Sequence, residues 1–139
     1  MKTCAHVMPI AVVGVLAMMV GIVELGPTRA EAQTRSAQPP ISFSEDVMPI
    51  FKGRCVACHQ AGGDGYEKSG LDLSTYVGVM KGTKFGPMVV PGDPQTSNLM
   101  VLLDWRAAPA LRMPHGKKKL SSCDRDAIRG WIRQGAKDN

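Results

Sequence analysis

Cys55-Val56-Ala57-Cys58-His59 decides how the rest of the chain is read. It is a C-x-x-C-H run, the spacing that attaches a c-type haem. Two cysteine sulfurs add to the two vinyl groups of one macrocycle and form thioethers, and two intervening residues let both sulfurs reach the same edge. A histidine directly after the second cysteine lies under the iron, where it can supply an axial nitrogen. Cys55, Cys58 and His59 are therefore candidate cofactor-binding residues, with His59 as a candidate metal ligand. Two other chemistries use the same atoms. A thioredoxin-type dithiol sits near a βαβ pattern, and the sequence shows none. A structural zinc built from Cys55, Cys58, Cys123 and either His59 or His115 wants a second closely spaced ligand pair, and none is evident.

The N-terminus reads as an export signal. Lys2 and His6 lie in a short polar start, Val7 to Val23 is free of charge, and Ala30-Glu31-Ala32 has the small-x-small form of a signal peptidase site. Residues 1–32 are thus expected to be a signal peptide cut before Gln33, residues 33–40 (QTRSAQPP) a linker, and 41–139 one domain. The uncharged run is long for a signal and just short of the ~20 residues that span a bilayer, so a retained N-terminal membrane anchor stays open. Either way the expected location is periplasmic or otherwise extracytoplasmic. The formal charge of +5 survives removal of the signal, which holds Lys2 and Arg29 against Glu24 and Glu31. A basic surface on an exported protein points to acidic protein partners or anionic membranes, and export argues against nucleic acid. The domain is small and poor in aromatics, so a covalently held haem would complete its core, and folding is expected to depend on the cofactor. Cys123, left over once a haem takes two cysteines, is expected as a small apolar residue on a helix, with a free reactive thiol or an intermolecular disulfide as the alternative.

Helical spacing organises the domain. A first helix is expected over Ser42–Arg54, capped by Ser44, with Val47, Ile50 and Phe51 as its apolar stripe and Pro49 as an awkward early residue. Gln60–Ser69 holds three glycines and no apolar period, and is expected as a loop. Ser74 should cap a short helix carrying Tyr76, Val77, Val79 and Met80 that stops at Gly82, and Ser97 another through Leu99–Leu103. Two stretches rich in Pro and Gly, Thr83–Thr96 and Ala107–Lys119, are helix-poor. Ser121 or Ser122 should cap a last helix running to about Gln134, with Cys123, Ala127, Ile128 and Trp131 on one face. The expectation is all-α: about four short helices around one haem, joined by Gly- and Pro-rich loops.

These blocks together resemble a class I monohaem c-type cytochrome domain, and are similar to the short domains often labelled planctomycete-type. The resemblance rests on Phe43-Ser-Glu-Asp-Val-Met-Pro-Ile-Phe51 leading into the C-x-x-C-H, then Ser69-Gly-Leu-Asp-Leu73, Val90-Pro-Gly-Asp-Pro94 with Ser97, Arg112-Met-Pro114, and Trp131-Ile-Arg-Gln-Gly-Ala136. It implies a first and last helix crossing beside the haem, single-electron transfer between redox partners, and a His and a Met on the iron. By that resemblance Met113 is the second metal ligand. Met113 also lies in a helix-poor segment, where the backbone can bring a thioether to the iron. His115 is the competing candidate, because alternate residues of an extended segment point the same way. Met48, Met80 and Met100 fit core positions, and Met88 is a loop methionine with no support as a ligand. Lys117-Lys118-Lys119 is either a solvated face or a docking patch for an acidic partner. A haem enzyme would need an open sixth position with distal acid/base groups, for which His115 is the one evident residue. The expected role is therefore an electron carrier, alone or as a subunit of a larger dehydrogenase or oxidase complex.

Overall fold

Pro49 dictates how the first helix begins. It has no N–H to donate, and its ring would press on the carbonyl of Glu45, four residues back. In the computed structural model, which describes residues 38–139, the chain meets this by starting wide. Phe43–Val47 is a π-helical turn, with the Val47 N–H donating to Ser42 O at 3.3 Å. Helix α1, Met48–Arg54, follows with Pro49 inside its first turn. The cap is Ser42 rather than the expected Ser44: Ser42 Oγ accepts the Glu45 N–H at 3.2 Å. Asp46 answers by accepting the Ser42 N–H at 2.9 Å. The Ser44 hydroxyl donates instead to Asn139 O at 2.9 Å.

Helix α2, Asp64–Ser69, occupies most of the stretch expected as a loop. The pattern hid it because none of its residues is buried. Gly70, at φ 74°, ends it in the left-handed conformation that favours glycine. Helix α3, Tyr76–Lys81, is capped by Thr75 Oγ1, which accepts the Gly78 N–H at 3.0 Å. Ser74, the expected cap, bonds Asp72 Oδ1 at 2.6 Å instead, and Val77 points to solvent. Helix α4, Asn98–Leu103, starts after Ser97, but the fully buried Ser97 hydroxyl does not cap it. It donates to Asp93 O at 2.7 Å and accepts the Val90 N–H at 2.9 Å, closing the loop before the helix. A single 3-10 turn, Pro109–Leu111, interrupts the second helix-poor segment. Helix α5, Ser122–Arg133, is capped by Ser121 Oγ, which accepts the Asp124 N–H at 3.0 Å. The described residues thus hold five α-helices, one more than expected, and no strand.

The core sits where the π-turn and α1 meet α5. Val47 and Phe51 from the first segment and Ile128, Trp131 and Ile132 from the last are fully buried. Ile50 and Ala127 lie half-buried at the margin. Phe43 joins these helices to α3, its ring centroid 5.2 Å from those of both Tyr76 and Trp131. Met48, Met88 and Met100 are buried in the same core and Met80 packs against it. Cys123 is half-buried on α5. The expected signal peptide and residues 33–37 of the linker lie outside the described residues.

Candidate haem site

The C-x-x-C-H run continues α1 as a series of tight turns. Cys55 and Val56 N–H both donate to Phe51 O, at 2.8 and 2.9 Å. Cys58 and His59 N–H both donate to Cys55 O, at 3.1 and 3.0 Å. These turns keep Cys55, Cys58 and His59 within one tight stretch of backbone, with Cys58 three and His59 four residues on from Cys55. The two motif cysteines are free thiols, Cys55 half-buried against the core and Cys58 exposed.

Burial pushes the Cys55 thiol up to about 11, against the pull of Arg54 and Lys117. A thiol held so far toward its neutral form is a poor thiolate nucleophile and a poor dithiol redox centre. Lys117 reaching Cys55 electrostatically also shows that the segment after Met113 passes near the motif.

Helix α2 packs directly on the motif. Tyr66 N–H donates to Cys58 O at 2.9 Å, and Leu73 N–H to His59 O at 2.8 Å. Gly65 lies flat against the imidazole: a Cβ there would stand 2.8 Å from Cε1 of His59 and 2.9 Å from Cys58 O. Burial lowers the His59 pKa, with the Leu71 backbone pulling the other way, so the neutral, ligating imidazole is favoured. His59 Nδ1 is buried with no hydrogen-bond partner. A buried polar atom left this way is costly unless something absent from the polypeptide engages the ring. The free thiol pair, the neutral imidazole and its orphaned nitrogen fit a c-type haem. Among the described residues no group of three or more His, Cys, Asp and Glu side chains is arranged for a metal ion, so the zinc alternative finds no support there. A cavity of about 110 Å³ lined by Pro40, Ile41, Trp131, Gln134, Lys137 and Asn139 is too small for a macrocycle and contains none of the motif.

Met113 and His115 part company. Met113 is half-buried and packs against the core, while His115 is exposed. A turn carries His115 outward, closed by Lys117 N–H donating to Pro114 O at 3.3 Å. Met113 is anchored through its backbone: its N–H donates to Leu102 O at 3.2 Å, and its carbonyl accepts the Trp105 indole N–H at 2.9 Å. Trp105 was not apparent in the sequence, where nothing separates it from an ordinary core aromatic. The lysine run also divides. Lys117 and Lys118 are exposed, but Lys119 Nζ donates to Asp104 O at 2.6 Å and lies 5.6 Å from the Trp105 ring centroid.

Residues 55–115 match the family described as Planctomycete cytochrome C, a stretch that begins at the first motif cysteine and ends two residues past Met113. The match supports a cytochrome c-like domain over that part of the chain. No curated protein and no solved structure matches.

Proposed function

We propose that the chain is an exported monohaem c-type cytochrome that carries single electrons between redox proteins. Cys55 and Cys58 hold one covalent haem, His59 is one axial ligand and Met113 the other. The observation that carries this reading is the turn 55–59, which brings two free thiols and a half-buried imidazole with an unpartnered Nδ1 into one short segment, within the stretch that matches a cytochrome c family. A haem held there supplies a one-electron iron couple. The chain's part is to fix both ligands, keep them dry and offer a docking surface. A thioether ligand favours the ferrous state and raises the potential relative to a second histidine. Exposed His115 is turned away from the packed segment, which gives a distal acid/base role no support. Cytochrome c domains are typically extracytoplasmic, which agrees with the signal-like N-terminus.

Extraction with acidified organic solvent tests attachment: the haem is expected to stay with the protein, and haem leaving with the solvent refutes it. The oxidised protein is expected to show the weak near-infrared sulfur-to-iron band of Met ligation. Met113→Ala should abolish that band and lower the potential, and His115→Ala should leave it in place. A band absent from wild type, or surviving Met113→Ala, overturns the ligand assignment.

A further inference from the structure

Trp105 follows α4 with φ 63°, a left-handed backbone that is a real outlier for a bulky residue. The helix end explains the geometry but not the residue. Trp105 N–H donates to Leu102 O at 3.2 Å and Arg106 N–H to Val101 O at 3.0 Å. That is a Schellman ending, whose left-handed position is usually glycine. A tryptophan is strained there, and strain of this kind persists where the surroundings hold it for a purpose. The indole N–H is aimed at Met113 O, at 2.9 Å. Leu102 O, already engaged by Trp105 N–H, also accepts the Met113 N–H at 3.2 Å. Arg112 and Lys119 lie against the ring, 5.4 and 5.6 Å from its centroid, and restrict its tilt. The strained Trp105 thus holds the Met113 carbonyl at the end of α4, beside Leu102 O, which holds the Met113 N–H.

We propose that Trp105 is a positioning residue for the Met113 thioether, holding it on the haem iron against displacement by external ligands. This rests on the reading of Met113 as an axial ligand. Losing one neutral hydrogen bond that favours the ligated state should shift the displacement equilibrium by roughly five-fold. The probe is imidazole, titrated optically into the oxidised holoprotein. Trp105→Phe should bind imidazole about five-fold tighter than wild type. Tyr76→Phe is the control, since it deletes a comparable 2.9 Å bond, from the Tyr76 hydroxyl to Ala136 O, and should leave imidazole affinity unchanged. Unchanged affinity in Trp105→Phe, or equal tightening in both variants, overturns the proposal. Wild type supplies a second readout that needs no variant. By linkage, displacing Met113 must weaken the bond that holds it. Saturating imidazole should therefore speed exchange of the Trp105 indole N–H several-fold. The Trp131 indole, which donates to Lys137 O at 2.8 Å, should not change. Equal behaviour of the two indoles overturns the positioning role while leaving Met113 ligation intact, whereas a missing near-infrared band removes both.

Discussion

His59 and Met113 are held in place by different means. On the His59 side the α1 hydrogen-bond ladder runs straight into the motif, and α2 and the segment after it close over it through Tyr66 N–H and Leu73 N–H. Nearly every link there is backbone to backbone, and the side chains that matter are absent ones, as at Gly65. On the Met113 side there is no helix beyond one 3-10 turn, and the chain is tied by an indole eight residues away and by the end of α4. A covalent attachment site benefits from a rigid local scaffold, because the two sulfurs and the imidazole must arrive together. A thioether that only leans on iron can be delivered by a tethered loop, and such regions sit at the low end of local stability.

The largest expected effect comes from removing the attachment. Changing Cys55 and Cys58 to Ser should lower holoprotein yield at least about ten-fold, since the small core loses the group that completes it. In the protein that remains, hydrogen exchange should find Met113 N–H unprotected while His59 N–H and Tyr66 N–H keep part of their protection. Equal loss on both sides would break the comparison.

A smaller effect separates two glycines of the motif side. Gly65→Ala places a methyl against His59 and the Cys58 carbonyl, so backbone or ring must shift, at a cost of roughly 1–3 kcal/mol. Gly53→Ala, on the exposed face of α1 with nothing within 4 Å, should instead stabilise by about 0.5–1 kcal/mol. Thermal unfolding of the two holoprotein variants checks both signs. A neutral Gly65→Ala would mean that α2 does not bear on the imidazole.

The two sides also differed in how far the sequence exposed them. The motif and the α1 and α5 stripes were legible because periodicity and spacing are local properties, and Val47, Phe51, Ile128 and Trp131 are buried as their spacing implied. Helix α2 was invisible because it buries no residue and answers to the motif backbone instead of to an apolar stripe. The caps at Ser42 and Thr75 were misplaced by one or two residues. Several hydroxyls lay within reach, and only the backbone path decides which one meets the N–H three residues on. Met113 and His115 could not be separated by alternation, because the turn after Pro114 breaks the extended run. The clamp by Trp105 depends on a left-handed tryptophan and a loop closure, neither of which has a sequence signal.

The smallest effect divides the lysine run. Lys119 is spent inside the Met113 region, its ammonium bonded to the end of α4 and stacked near Trp105. Lys117 and Lys118 remain in water, and Lys117 lies close enough to the motif to act on Cys55. On the proposed reading, a charge in that place attracts an anion approaching the haem, an effect that salt screens within about 10 Å at 0.1 M. Oxidation of the reduced protein by ferricyanide, a small anionic acceptor, isolates this term without needing the natural partner. The paired Lys117→Gln and Lys118→Gln variant should be oxidised a few-fold more slowly at low ionic strength and at the wild-type rate in high salt, with unchanged thermal stability. Lys119→Gln should behave the opposite way, losing about 0.5–1.5 kcal/mol of stability while keeping close to the wild-type rate and salt dependence. If the paired variant matches wild type at low salt, the two lysines are only a solvated face. If Lys119→Gln slows oxidation as much as the pair does and leaves stability untouched, the three act as one patch, and the division between docking and scaffold is wrong.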